Sequence, residues 1–217
     1  MKVERSIATT VLILGLVSRG VAVTAETTSP PPQSPKPAPK ENVAAAEPTQ
    51  EQMMANWQKA ATPGDQQKVL ENFVGNWTSH ARMQLDASKP AEESHGTAEG
   101  RMVLGGRFVH VVHKGTMMGQ PFEGMMLSGY DNIAKKYVAT WVDNMSTTIV
   151  RYDGSYDKNT KKLMMGTQYI DPMTWKPTRS RSVTTFISPV SWTYEELVPG
   201  PYGKERVVMS ITFTKKV

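Results

Sequence analysis

The stretch Tyr130-Asp131-Asn132-Ile133-Ala134-Lys135-Lys136-Tyr137 decides the fold, because it recurs twenty-six residues later as Tyr156-Asp157-Lys158-Asn159-Thr160-Lys161-Lys162-Leu163. Each copy is a short polar segment between an aromatic residue and a run of alternating side chains, which is typical of a β-hairpin turn. The spacing fits two strands of about ten residues with their turns. Both turns are therefore predicted to lie at the same end of an up-and-down meander.

Strand-like runs continue on both sides of this repeat, separated by turn residues at even intervals. We predict about ten strands, at residues 76–85, 94–104, 107–117, 122–130, 136–143, 147–156, 162–170, 178–187, 191–197 and 205–215. We call one end, with turns near 105, 133, 159 and 189, the floor, and the other end, with turns near 88, 119, 145, 174 and 201, the mouth. The first strand begins and the last strand ends at the floor, so their antiparallel pairing would close the sheet. The predicted fold is all-β, a closed antiparallel up-and-down barrel.

The N-terminal residues 1–25 have the pattern of a secretory signal peptide. Two cations precede a largely apolar run from Ile7 to Val17, and Val23-Thr24-Ala25 provides small residues for cleavage before Glu26. The run is much shorter than the roughly 20 residues that cross a bilayer, which favours a cleaved signal over an uncleaved membrane anchor. We expect an exported protein, periplasmic or extracellular in a bacterium, with no stable membrane span after cleavage.

Residues 26–48 have the composition of a disordered linker, since seven of these 23 residues are proline. Such a segment buries too little apolar surface to become ordered, and it is either a spacer or an unselective tail. Residues 49–74 carry a helical pattern, in which Thr49 and Gln52 fit a capping box. The sequence predicts short helices there, followed by the barrel over residues 75–217.

Composition excludes several classes of function. The formal net charge is +5, and loss of residues 1–25, with three cations and one anion, leaves +3. That charge is too weak and too evenly spread to indicate a nucleic-acid partner. Cysteine is absent, so no disulfide holds the fold, which suits a bacterial periplasm better than a disulfide-stapled secreted domain. The sequence assigns no oligomeric state.

Gly75-Asn76-Trp77, which opens the first strand after a short helix, resembles the Gly-x-Trp motif of lipocalin-like (calycin) barrels. In that superfamily the tryptophan packs across the closed end beneath a basic residue of the last strand. The resemblance therefore implies a structural role at the floor for Trp77 and for Lys215 or Lys216.

Residues 63–217 also resemble an uncharacterised bacterial family, known only as a domain of unknown function with a lipocalin-like barrel. The phrases that carry this resemblance are Val103–Phe108, Met118–Gly124, Gly129–Asn132, Lys135–Val138 and Trp141–Asp143. The resemblance implies the fold and an exported setting, and it brings no established substrate.

Alternation along the strands indicates which side chains face the barrel interior. If Arg151 and Asp153 face outward, Tyr152 and Tyr156 face inward, and hairpin pairing extends this assignment to both neighbouring strands. Over residues 122–143 both faces are apolar, and we favour the aromatic one as the interior. On the last strand the predicted inward residues are Val207, Met209, Ile211 and Phe213. The predicted ligand-binding residues are Met126, Tyr130, Trp141, Asp143, Tyr152, Met165, Tyr169, Arg179 and Arg181.

An interior rich in Met, Tyr and Trp suits an adaptable apolar pocket. The favoured function is therefore non-covalent binding of a small apolar or amphipathic molecule. The alternative is a filled barrel that acts as a structural or interaction module, because small barrels are often filled by side chains. Arg179 and Arg181 share one face and would clamp an anionic head group if that face is inward. If it is outward, they are ordinary solvated arginines.

No motif in the sequence indicates catalysis or a cofactor. The nucleophile elbow, the phosphate-binding loop, the His-Glu-x-x-His motif and cysteine are all absent, so a hydrolase or isomerase ranks third. His110 and His113 are predicted on opposite faces of one strand, where they form no local metal site. Adjacent methionine pairs also point to opposite faces, so a pair cannot chelate copper by itself. We expect no metal and no cofactor.

Overall fold

Ten antiparallel strands form a closed barrel in the computed structural model, which describes residues 47–216. The predicted signal peptide at 1–25 and all but the last two residues of the predicted linker lie outside the described residues. The strands are β1 (Gly75–Met83), β2 (Glu92–Val103), β3 (Phe108–Met117), β4 (Gln120–Asp131), β5 (Lys136–Asp143), β6 (Val150–Asp157), β7 (Lys162–Ile170), β8 (Pro177–Ser188), β9 (Ser191–Pro199) and β10 (Glu205–Lys215). The all-β, up-and-down barrel predicted from the sequence is confirmed.

The first and last strands close the sheet. Each strand pairs with its sequence neighbours, and β1 pairs with β10 from Trp77 opposite Lys215 to Met83 opposite Met209. Since every strand has a partner on both sides, the sheet has no free edge.

The two copies of the repeated phrase form equivalent turns at the floor. A side-chain oxygen of Asp131 accepts a hydrogen bond from the amide of Ile133 at 2.8 Å, and Asp157 accepts one from the amide of Asn159 at 2.9 Å. The lysine four positions after each aspartate has a left-handed backbone, with φ of 57° and 55°. The repeat is therefore a structural device that builds the same turn twice.

Helical segments precede the barrel and attach to its floor: α1 (Gln50–Ala61), α2 (Asp65–Lys68) and a 3₁₀ turn (Val69–Phe73). The predicted capping box is present, with Thr49 and Gln52 each accepting from the other's amide. Helix α1 buries no side chain, and its C-terminal end is held by Arg107, whose Nε donates to the carbonyl of Ala61 at 2.9 Å. Of the helices between residues 47 and 216, none has the length and apolar character to cross a membrane.

The 3₁₀ turn plugs the floor of the barrel. Its Leu70 and Phe73 side chains are buried, and the Phe73 ring packs edge-on against Phe186 and Trp192. Trp77 is also buried, and its Nε1 donates to the carbonyl of Phe73 at 3.0 Å. Aromatic rings therefore fill the floor half of the interior.

The plug lies against β2 and near the last residue of β10. A Cβ atom at Gly100 would lie 2.0 Å from the Phe73 carbonyl oxygen, so this approach of two backbones requires glycine. Lys215 Nζ lies 5.5 Å from the centroid of the Trp77 ring, within the range of a cation–π contact. The structure thus brings Trp77 and Lys215 together at the closed end.

The predicted inward orientation of Val207 is wrong. The register of β10 against β9 shifts between Val207 and Met209, which is a β-bulge that adds one residue to β10. Alternation is reset at the bulge, so Val207 is 40% exposed. Beyond the bulge, Met209, Ile211 and Phe213 pack in the core as predicted.

Candidate functional site

The aromatic face of β4 and β5 lines the barrel interior, as the sequence favoured. Tyr137 and Ala139 are buried in the core, with Met126 packed against them. On the opposite face, Met125 and Leu127 are exposed. The alternation predicted for β6 and β7 is also present, because Leu163, Met165, Tyr152 and Tyr156 belong to the same core.

The predicted ligand-binding residues occupy two levels of this interior. Tyr130 lies at the floor, next to the turn that follows β4, where its ring packs against Tyr137 at 5.0 Å. Trp141 lies nearer the mouth, stacked on Phe122 at 6.2 Å, and its Nε1 donates to Asp143 at 2.8 Å. Tyr130 therefore packs with the floor rather than with the other predicted residues. Met126 and Met165 lie near the middle of their strands and pack with the core. The mouth half contains the remaining inward residues of the set: Trp141, Asp143, Tyr152 and Tyr169.

A buried polar group, not predicted from the sequence, lies in the mouth half. Glu196 on β9 is 9% exposed and accepts a hydrogen bond from the Tyr194 hydroxyl. The Tyr152 hydroxyl lies next to that of Tyr194. Thr167 pairs with Tyr152 across β6 and β7 and with Ser180 across β7 and β8. We call Tyr152, Thr167, Ser180, Tyr194 and Glu196 the Glu196 cluster.

The cluster carries hydroxyl groups whose hydrogen bonding is incomplete. Among residues 47–216, Thr167 Oγ1 and Ser180 Oγ are buried and have no partner in well-formed hydrogen-bond geometry. Ser180 nevertheless lies close enough to Glu196 to lower the pKa of that carboxyl. A buried polar group without a partner costs about 1–3 kcal/mol, and such groups are uncommon in folded proteins. Thr167 is therefore the hydroxyl of the cluster with the most unused hydrogen-bonding capacity.

Burial disfavours the charged forms of the acidic groups in the cluster. Desolvation raises the pKa of the Glu196 carboxyl, against the opposing effect of the nearby Ser180 and Tyr194 hydroxyls. Desolvation also raises the pKa of Tyr152, and it raises that of Tyr194 well above the ordinary value. Among residues 47–216, no ion pair involves Glu196. The cluster acts through hydrogen bonds, with one carboxyl that can acquire charge.

The hypothesis that Arg179 and Arg181 form a clamp inside the barrel is wrong. The inner face of β8 carries the buried residues Ser180, Ser182, Thr184 and Phe186, so Arg179 and Arg181, which alternate with them, lie on the outer face. Arg181 Nε donates to both carboxylate oxygens of Glu205 at 3.2 Å, and Arg179 is exposed. Both are surface arginines, which was the competing interpretation.

An open cleft of about 880 Å³ lies at the mouth, between the end of the β7–β8 hairpin and the end of β9. Tyr169, Thr178 and Val198, which alternate in step with the inward residues of their strands, form part of its lining. Outer residues, including Arg179, form the rest. Of the predicted residues, Tyr169 and Arg179 therefore border this entrance.

A second polar pair missed by the sequence analysis lies across the barrel. Ser79 Oγ is 2.9 Å from His113 Nε2, and the imidazole packs against Phe122 and Phe213. Desolvation lowers the pKa of His113. The interior carboxylate of Asp143 is bonded elsewhere, to Trp141 and to the amide of Met145, so it does not complete a triad with this pair.

Between residues 47 and 216, no group of three or more His, Cys, Asp or Glu side chains is placed to hold a metal ion. His80 and His95 stack at 4.7 Å on the exposed outer surface, where His80 also contacts Glu93.

Signals for the missed residues exist in the sequence. Trp192, Tyr194 and Glu196 alternate along one strand, so a core position for Trp192 places the other two on the inner face as well. His113 is likewise in step with the buried Val109 and Val111. Charged and polar residues usually lie in solvent, so alternation alone did not lead to an inward assignment for Glu196 or His113.

The chain is similar to one protein family and to several solved structures. A family model described as "Protein of unknown function (DUF1579)" matches residues 62–215. No curated protein matches the chain significantly. The crystal structure of Rv2717c from M. tuberculosis is similar with a TM-score of 0.54 and 8% identity, over 72% of this chain and 100% of that chain. An S-type phycobiliprotein lyase from Guillardia theta has a TM-score of 0.47 and 10% identity, over 71% of this chain and 99% of that one. The first likeness shows a shared fold alone, and the second is too distant to carry an argument.

Proposed function

We propose that the mouth half of the barrel binds one small amphipathic molecule non-covalently. The chain belongs to the DUF1579 family of proteins of unknown function. Ligand entry is through the mouth, since the 3₁₀ turn and its aromatic partners fill the floor. The proposal takes the floor half as the structural foundation and the mouth half as the binding site.

The observation that carries this proposal is a pair of hydroxyls in the mouth half, those of Thr167 and Ser180, which are buried without well-formed hydrogen bonds in the part of the chain that the structure describes. The floor half also contains a buried donor without an acceptor, the Nε1 of Trp192, but aromatic rings surround it there. Buried polar groups of folded proteins usually have partners. The two hydroxyls follow inward from Tyr169 and Thr178, which line the open cleft at the mouth, so a ligand that enters there can complete their hydrogen bonds.

The lining supports an amphipathic ligand in particular. Met126, Met165 and Trp141 provide apolar contact, and burial of apolar surface contributes about 25 cal/mol per Å². Methionine adapts to varied shapes because it is flexible and polarizable. The Glu196 cluster provides hydrogen bonds that orient the polar end of the ligand.

The rival function is a structural or interaction module with a filled barrel, which the dense packing of the floor half favours. An enzyme, as a hydrolase or isomerase, ranks below both. Its best support is the Ser79–His113 hydrogen bond, and that pair has no carboxylate partner among residues 47–216.

Native mass spectrometry and lipid extraction of the chain purified from its own host test the proposal. We expect a copurifying small molecule at close to one per chain, released on denaturation. Protein that is reproducibly free of any bound molecule, with an experimental structure whose mouth half is filled by side chains, would favour the module instead.

Thr167→Val provides a matched perturbation, because valine keeps the shape of the side chain and removes its hydroxyl. We expect Thr167→Val to retain less of the copurifying molecule than the unaltered chain. Thr185→Val on β8, which alternates out of step with the inward Thr184, should retain it fully.

A further inference from the structure

We infer that the Glu196 cluster recognises a head group that donates hydrogen bonds, best a protonated primary amine, and that it rejects a carboxylate. This inference rests on the proposed function and specifies the ligand class of that site. An inward arginine clamp would have selected an anionic head group, whereas this cluster selects a cationic one.

The carboxyl of Glu196 has acceptor capacity that its neighbours do not use. A carboxylate offers about four lone-pair sites, and the hydroxyl of Tyr194 occupies one of them. Ser180 lies close enough to lower the pKa of the carboxyl, although its hydroxyl has no partner in well-formed geometry. The carboxyl of Glu196 therefore keeps unused acceptor sites on a face that is removed from bulk water.

Several side chains of the surrounding strands bring charged or titratable groups to the barrel interior. His113 on β3 is the inward imidazole, and its Nε2 is engaged with Ser79. Asp143 on β5 adds a second carboxylate. Tyr152, Tyr169 and Tyr194 are the titratable groups of β6, β7 and β9 near Glu196, and they are neutral near pH 7.

Arg206 on β10 lies opposite Val198 and shares its inner face, whereas Arg181, which is opposite Leu197, lies on the outer face. The Arg206 guanidinium donates to the carbonyls of Gln84, at 2.8 Å, and Leu85. These carbonyls follow β1, which flanks β10 on the side away from β9. The Arg206 side chain is therefore engaged at the rim between β1 and β10, and among residues 47–216 no salt bridge neutralises Glu196.

The site therefore prefers a hydrogen-bond donor with positive charge. An ammonium group has three donors, enough for Glu196 and for the hydroxyl oxygens of Thr167 and Ser180. A neutral alcohol would make one such bond. A carboxylate would bring a second negative charge next to Glu196 in a desolvated site, which is strongly unfavourable.

Three probes with the same alkyl chain test the inference on the unaltered protein: decylamine, decanol and decanoate. After removal of any copurified molecule, calorimetry and the fluorescence of the buried tryptophans report binding. We expect decylamine to bind most tightly, decanol less tightly, and decanoate at least about tenfold more weakly than decylamine, which is the effect of one charge-assisted hydrogen bond.

Glu196→Gln and Glu195→Gln form the matched pair of variants. Glu195 is the chain neighbour of Glu196 and lies on the outer face beside Arg181. We expect Glu196→Gln to lose about tenfold in affinity for decylamine and to keep its affinity for decanol, whereas Glu195→Gln should match the unaltered protein with every probe.

The outcomes separate the inference from the proposed function. The inference is wrong if decanoate binds as tightly as decylamine, or if Glu196→Gln binds all probes as the unaltered protein does. Either result would leave the proposed binding pocket unaffected. If no probe binds and native mass spectrometry finds no bound molecule, the proposed function fails as well. Should Glu196→Gln not fold, the comparison of probes on the unaltered protein still decides.

Discussion

Glu196 holds a carboxyl group in surroundings that disfavour its charge. The side chain is buried, and its hydrogen-bond partners are neutral hydroxyl groups. Because desolvation raises its pKa, the folded protein binds this proton more tightly than the unfolded chain does. Between the ordinary glutamate pKa and the raised one, the folded state holds more protons, so the free energy of unfolding falls as pH rises.

The variant Glu196→Gln should remove this dependence on pH. Relative to the unaltered protein, its free energy of unfolding should increase as pH rises through that window and stay level below it. Urea denaturation of both proteins from about pH 4 to about pH 8, which spans the ordinary glutamate pKa, measures the difference. Glu195→Gln, on the outer face, should gain no stability over the same range. A difference for Glu196→Gln that is level or decreases with pH would contradict the assignment.

Individual residues were predictable from the sequence where the two faces of a strand differ clearly. On β6, Arg151 and Asp153 identify the outer face, so the inward position of Tyr152 follows. On β8, the residues from Thr178 to Ser182 are polar on both faces, and alternation there shows only that Arg179 and Arg181 share a side. Serine and threonine occupy the inner side of this part of β8, so its burial has no apolar pattern to predict it.

At the scale of elements, the contact between the 3₁₀ turn (Val69–Phe73) and β2 fixes the floor. The turn brings its carbonyl groups against the backbone of β2 at a residue that has no side chain. Trp77 Nε1 donates to one of these carbonyls, so the plug is held from two sides. Its position determines how much of the interior is left for a ligand.

Gly100→Ala is expected to displace this plug, because the new Cβ would lie 2.0 Å from the Phe73 carbonyl oxygen. Overpacking of this kind should destabilise the protein by about 3 kcal/mol, measured by urea denaturation. Gly166→Ala on β7 is the control, since its Cβ meets no atom within 4 Å, and it should change stability by less than about 0.5 kcal/mol. Equal effects of the two variants would show that the plug does not depend on this contact.

Elements with regular alternation were predicted well, and the exceptions have physical causes. Strands β5, β7 and β10 have the predicted bounds, because turn residues bracket each of them. The bulge in β10 between Val207 and Met209 has no glycine or proline to indicate it. The faces before a bulge cannot be extrapolated from those after it, which is why Val207 was misplaced.

For the whole molecule, we propose that residues 1–25 direct export and are removed. N-terminal sequencing of the protein from the periplasmic or extracellular fraction should begin at Glu26, because small residues at Val23-Thr24-Ala25 suit the cleavage enzyme. Ala25→Trp, which puts a bulky residue at the cleavage site, should accumulate the uncleaved precursor. Recovery of the chain in the cytosol with Met1 or Lys2 at its N-terminus would contradict export.

The pairing of β1 with β10 has a consequence for how the chain reaches its native state. Partners across this seam, such as Thr78 and Thr214, are 136 residues apart along the chain, so their contact requires closure of a very long loop. Folds dominated by such distant contacts assemble slowly. During synthesis, β1 and β9 each present unpaired backbone groups until β10 has emerged. The nascent chain is therefore most prone to associate with its own copies in the interval before its last strand is complete.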